Sequence, residues 1–314
     1  MPKVYIFLGL TVAACISILG YKYATSELSF YENLAKEQNP KVAMEHLKTE
    51  LKNNPDLANS CHGITHEIGH IAFEEYGFKK ALSQFEDDLC GSGYMHGVTE
   101  EYISQSDKPL ADMLTACPKG YGACFHGIGH GLLLYYENDL PKATAGCDQF
   151  KEIKEQVQCS EGVFMQNYNT DTKLHKNDYL DPQNTLFPCL EQPEIHKSAC
   201  YFYSPRYFVS LHPNAYKEAI KVCLNAEEKF IPTCIRGVGS VTMKQNIEDI
   251  NLNEDVCKSA PSEYQNHCIS GSTGYYVIHA GSLAEAEKLC PRLTAEFQTV
   301  CRNTVANSKD FFLD

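Results

Sequence analysis

Apolar positions along the chain recur at helical rather than alternating intervals. Ala215-Tyr216-Lys217-Glu218-Ala219-Ile220-Lys221-Val222-Cys223 and Ala284-Glu285-Ala286-Glu287-Lys288-Leu289-Cys290 place their apolar residues on one helical face and end at a cysteine. A polar turn follows, in places with proline: Pro118-Lys119-Gly120, Pro261-Ser262, Pro291-Arg292. A second helical stretch then opens at another cysteine. No strongly alternating run argues for a sheet. The pattern predicts an all-α solenoid of about seven helical hairpins. Ser26–Asn39 and Lys41–Asn54 read as polar helices without cysteine, and residues 166–188, rich in Asn and Asp, read as a long loop.

The one uncharged apolar run is Val4 to Gly20, flanked by Lys3 and Lys22. It is near the lower length limit for crossing a bilayer. An uncleaved anchor through residues 4–20 is the favoured reading. A cleaved secretory signal is one alternative. A lipoprotein signal is another, since Val12-Ala13-Ala14-Cys15 resembles a lipobox that would carry a lipid on Cys15. The flanking lysines are too balanced to set orientation. The expected layout is a signal anchor or lipoprotein signal at 1–21, a stalk at 22–40, histidine-rich repeats at 41–140 and disulfide-stapled repeats at 141–314.

Cysteine usage supplies the orientation. Cys15 aside, 14 of the 15 cysteines lie in the body, and none forms a C-x-x-C. Such density without metal-cluster spacing points to disulfides in an oxidising, extracytoplasmic compartment. Cys189 and Cys200 are eleven apart, as are Cys223 and Cys234, Cys257 and Cys268, and Cys290 and Cys301. Cys147 and Cys159 are twelve apart, and Cys117 and Cys124 seven. Each pair can meet across a hairpin turn, and the remaining Cys61 and Cys90 are expected to bridge neighbouring repeats. The later cysteines of successive pairs recur every 33 to 41 residues, a period that marks helical arrays. Four second helices share a C-x-x-G start, ending at Gly93, Gly162, Gly237 and Gly271. Glycine costs a helix about 1 kcal/mol against alanine, so its recurrence implies close helix contact. The pattern resembles the disulfide-bridged Sel1-like and tetratricopeptide-type helical repeats. That resemblance implies stacked αα-hairpins.

Overall composition excludes one class of partner. The 314 residues are 43% hydrophobic and carry a net charge of -13, with a pI near 5.4. No basic cluster suits a nucleic acid, and no Gly-rich phosphate loop or dinucleotide fingerprint is present.

Histidines carry the candidate chemistry. Six of the 12 lie in three successive second helices: His62, His66 and His70; His96; His126 and His130. A G-x-x-H string recurs at Gly63–His66, Gly93–His96 and Gly127–His130, and later repeats hold Met165, Ser240 and Gly274 instead. Histidines four apart share a helix face and can hold one metal. Imidazole suits zinc above all, with copper or iron also admissible. The other six, His46, His175, His196, His212, His267 and His279, read as surface or satisfied core residues. The bland alternative for the cluster is hydrogen bonding to neighbouring helix ends.

His66-Glu67-Ile68-Gly69-His70 resembles the H-E-x-x-H zinc-peptidase motif. The resemblance implies His66 and His70 as zinc ligands, Glu67 as general base, and Glu100 or Glu101 as third ligand. Phe73 and Tyr76 occupy the places of the metzincin glycine and third histidine, and His126-Gly127-x-x-His130 repeats the spacing without the glutamate. Glu74-Glu75 and Glu100-Glu101 otherwise read as solvated helix ends, and the tyrosine-rich runs at 201–203 and 275–276 as packing between repeats. Three functions follow: metal binding through the histidine cluster, zinc-dependent hydrolysis, and a scaffold for other envelope proteins.

Overall fold

Short helices alternate with long ones, because each unit's first segment holds only two or three amphipathic turns before the chain reverses. A computed structural model describes residues 27–51, 54, 57–84, 89–117, 122–169, 177–280 and 282–308. The short elements are α2 (Pro40–Glu50), α4 (Phe78–Gln84), α6 (Pro109–Ala116), α8 (Leu140–Cys147), α11 (Tyr216–Cys223), α13 (Ile250–Lys258) and α15 (Leu283–Ala286). Several start on a side-chain cap that accepts an otherwise unpaired backbone N–H. Asn39 accepts from Val42 N at 2.8 Å, Asp139 from Lys142 N at 3.2 Å and Asp249 from Leu252 N at 2.9 Å. Pro40 and Pro141 follow their caps in the first helical turn, where the missing N–H costs nothing.

The long elements are α3 (Ala58–Tyr76), α5 (Leu89–Ser104), α7 (Gly122–Tyr135), α9 (Ile153–Asn169), α10 (Glu194–Leu211), α12 (Ile231–Gln245), α14 (Ser262–Ala280) and α16 (Ala295–Asn307). They make eight units rather than about seven. The fifth unit, marked in sequence by Cys189 and Cys200, opens with a single 3-10 turn, Cys189–Glu191. Each long helix packs on the next along the row. α14 also reaches back to α5, so the row curls round and encloses an axis.

Seven disulfides link adjacent helices: Cys61–Cys90, Cys117–Cys124, Cys147–Cys159, Cys189–Cys200, Cys223–Cys234, Cys257–Cys268 and Cys290–Cys301, with Cα–Cα separations of 5.3 to 5.7 Å. The first joins two long helices, α3 and α5. The other six tie a short element to the long helix after it. Helix axes approach closely where the recurrent glycines lie. A Cβ on Gly162 would collide with the His126 carbonyl, and one on Gly271 with the Arg236 carbonyl. Cys124-Phe125-His126-Gly127 belongs to the same C-x-x-G set, and Gly127 sits against Thr99 and His96.

The helix expected over 26–39 is present as α1 (Glu27–Glu37), which packs on α2 and α3 and buries Tyr31 and Ala35. Those two contact positions, four apart, are easily hidden among polar neighbours. The stretch 166–188 is helical as far as Asn169. Its buried Asn167 and Tyr168 are satisfied by the returning chain: Asn177 Nδ2 donates to Asn167 Oδ1 at 3.0 Å, and Tyr168 donates its hydroxyl to the Phe187 carbonyl at 3.1 Å. No helix among the described residues is long and apolar enough to cross a membrane. The run 4–20, expected as an anchor, lies outside the described residues, as does His175.

Candidate metal centre

Three successive long helices bring all six clustered histidines together. On α3, His62, His66 and His70 follow one face, with ring centroids 6.1 and 4.9 Å apart. α5 sets His96 between the two flanking helices, 5.3 Å from His62 and 4.9 Å from His126. On α7, His126 and His130 are 5.0 Å apart, and His130 lies 5.9 Å from His66. Gly97 and Gly131 make this convergence possible, since a Cβ on either would press on the facing helix at the His66 or Glu100 carbonyl.

Glu100 sits at the centre and is 5% exposed. It is not a solvated helix end. Its Oε2 lies 3.1 Å from His66 Nε2 and 3.6 Å from His130 Nδ1, and its Oε1 lies 3.5 Å from His70 Nε2. The ligand atoms of His66, Glu100 and His130 fall within 4.8 Å of one another. These distances suit ion pairing, yet the Glu100 Oε2 contacts are not aligned as hydrogen bonds. Glu100 Oε2, His70 Nε2, His96 Nδ1 and His130 Nε2 are all buried without a hydrogen-bond partner. Buried polar atoms left without partners in one cluster are costly unless something meets them.

The electrostatics have the same sense. Burial pushes the Glu100 carboxyl up, but His66, and then His130 and His70, outweigh it and bring it down to about 2. Burial pushes His62 down to about 3 and His130 down to about 4. It also holds His96 and His126 well below the usual imidazole range. A carboxylate held ionised beside a His130 whose charged form burial disfavours is a set of donors suited to a cation. Outer contacts fix two tautomers. His130 Nδ1–H donates to Gln166 Oε1 at 2.9 Å, and His62 Nδ1–H donates to the Cys90 carbonyl at 2.8 Å. Each bond leaves Nε2 with the lone pair, the arrangement metal-binding histidines commonly show. His126 Nε2 faces Met165 Sδ at 3.3 Å.

The convergent set therefore takes one residue from each of three helices. His70 borders it, with Nδ1 also 3.6 Å from Glu101 Oε2. Glu67 does not join the set and makes no hydrogen bond or ion pair with a described residue. One position along a helix from His66 is about 100° around it, so a side chain there leaves the face on which the ligands meet. A surface hollow of about 350 Å³, lined by Phe73, Tyr102, Lys108 and Asp112 among others, contains none of the clustered histidines.

Of the remaining histidines, His196 is fully buried, with Nδ1 hydrogen-bonded to Ser160 Oγ at 2.7 Å and Nε2 3.1 Å from Asp148 Oδ1 without the alignment of a hydrogen bond. His46 meets the Tyr31 hydroxyl at 3.3 Å, and His212 and His267 are exposed. Arg206, Arg236, Lys244 and Glu161 were not singled out by motif. They stand at the same helix positions as the histidines, counted from the C-x-x-G glycine or its counterpart, and that register is the signal that finds them. No family model, curated protein or solved structure matches the chain.

Proposed function

We propose that this chain is an extracytoplasmic helical-repeat protein that binds one divalent transition metal, with His66, Glu100 and His130 as its ligands. The observation that carries the reading is the buried meeting of two imidazoles and one carboxylate within 4.8 Å, in a cluster whose inward-facing donor atoms lack hydrogen-bond partners. Two histidines and a glutamate suit zinc, which asks for N and O donors and no control of redox state. The same donor set also suits Fe(II). The bound ion would supply a Lewis acid, while the chain fixes the ligands through Gln166 and the helix contacts at Gly97 and Gly131. Seven disulfides agree with an oxidising compartment. Residues 4–20 would tether the body to the membrane.

Elemental analysis of the full chain, purified without reductant beside the variant His66→Ala/His130→Ala, tests this reading. One tightly held metal per chain, lost in the variant, supports it and names the ion. No metal in either protein after reloading with zinc, copper and iron (the last without oxygen) sinks it.

A further inference from the structure

The helix positions that carry the histidines carry cations in the second half of the row. Counting from the glycine of each long helix, His62, His66 and His70 stand at -1, +3 and +7 about Gly63, and His126 and His130 at -1 and +3 about Gly127. Around Gly237 of α12 the same steps give Arg236, Ser240 and Lys244. On α10, where Tyr203 replaces the glycine, the +3 residue is Arg206. Positions four and eight apart lie on one helix face. Because the row curls until α14 meets α5, that shared face turns toward a common interior.

Contacts join the two halves. The Tyr203 ring lies 6.3 Å from that of His126, and the Arg206 guanidinium lies 4.7 Å from the Tyr203 centroid. Arg236 stacks on Phe202 at 4.9 Å. The charge of Arg206 pushes down on both His126 and His130, and that of Lys244 on His62. Arg206 and Lys244 therefore border the histidine cluster, and Arg236 stands beside them on the same face of α12 as Lys244.

These cations lack anions. Arg206 Nη1 and Arg236 Nε are buried with no hydrogen-bond acceptor. Neither arginine nor Lys244 forms an ion pair with a described residue. The one carboxylate in the same register is Glu161, at -1 to Gly162. Burial pushes its carboxyl up to about 6, against the pull of Arg236. Lys244 is brought down to about 7, first by the charge of Arg206 and then by burial. In a chain with 40 acidic and 27 basic residues, three part-buried cations without counterions are an unpaired charge that an anion relieves.

We infer that Arg206, Arg236 and Lys244 form a binding site for a phosphate group, facing the histidine cluster across the interior of the helix row. Two planar guanidinium groups and one ammonium match the several acceptor oxygens and double charge of phosphate better than the single charge of a carboxylate. The site stands beside the metal reading and does not depend on it.

Calorimetric titration of the full-length, disulfide-intact protein with inorganic phosphate, and separately with the monoester phosphoserine, tests the site. Both the chelator-treated and the zinc-loaded protein are titrated in low-chloride buffer. The expected result is about one phosphate group per chain, bound by the chelated protein as well as the loaded one. Arg206→Gln/Lys244→Gln should weaken it at least about tenfold, with helical circular dichroism and metal content unchanged. Arg236→Gln alone gives the same readout should the double variant fail to fold. Binding of the ester and not the free ion also supports the site and identifies its source as an esterified ligand. No binding of either probe in either state overturns the inference. Binding seen only with zinc and indifferent to the variants also overturns it, because the phosphate would then sit on the metal. Phosphate binding in a protein that takes up no metal leaves this site standing and removes the metal reading.

Discussion

Gln166 reaches the centre through its 2.9 Å hydrogen bond from His130 Nδ1. Removing its acceptor in Gln166→Leu frees the His130 ring to turn and lose its tautomer. Metal affinity should fall about 10–100-fold, as measured by competition with a chromophoric chelator. An unchanged affinity would show that the 2.9 Å contact does not orient the ligand. The depressed imidazoles make a second forecast. His62 and His130 titrate near 3 and 4 when folded, against 6.5 when free. The unfolded chain therefore takes up more protons as pH falls from about 6.5 toward those values. Their contribution to stability is complete above 6.5 and is lost on acidification, with a slope of up to about 1.4 kcal/mol per pH unit for each histidine. The Glu100 carboxyl, down near 2, adds loss of the same sign below about 4.5. Urea midpoints of the metal-free protein should drop steadily between pH 7 and 4, and a flat profile would contradict the assigned burial. At this scale the six histidines were legible, because their i, i+4 spacing is local. The pairing of His66 with His130 was not, because it depends on which faces of α3 and α7 meet across α5.

Elements are held together by glycine and cystine working at neighbouring positions. Gly162→Ala and Gly271→Ala should each destabilise by about 1–3 kcal/mol, since the added methyl meets a facing backbone carbonyl that cannot give way. Gly63 has open space around its Cβ position. Gly63→Ala should instead stabilise by up to about 1 kcal/mol from helix propensity. Chemical denaturation of the three variants separates contact from propensity, and a common sign for all three would refute the contact argument. Most of this level could be read from the chain. Cysteine spacing marked each hairpin turn, and the repeated glycine marked each tight crossing. The unit opened by Cys189–Glu191 was marked by its cysteine pair, although its first element is a single 3-10 turn too short to show a period. The stretch 166–169 was misread because the Asn167 side chain is satisfied by Asn177 and Tyr179 from beyond the loop, so its usual competition with the helix backbone does not arise.

At the scale of the molecule, each bridge closes a short loop and contributes about 2–4 kcal/mol, so the shape enclosing both sites rests on oxidation. Reduction should convert a single cooperative unfolding transition into a broad one at lower denaturant. It should also release the metal at the same reductant concentration, as read by circular dichroism and a metal-sensitive dye. Metal release that clearly preceded unfolding would mean the centre answers to its own bridge, Cys61–Cys90, and not to the whole row. The curling of that row was not legible from sequence, because the return of α14 to α5 depends on a small rotation per unit that no residue pattern encodes. The register has a wider consequence. Along α3 and α12, one set of positions spells the architecture and another, one step before the glycine and three and seven after it, spells the interior. The two alphabets share a helix but not a residue. A lineage built this way can rewrite what its interior recognises, one stave at a time, while the barrel that holds the message stays the same.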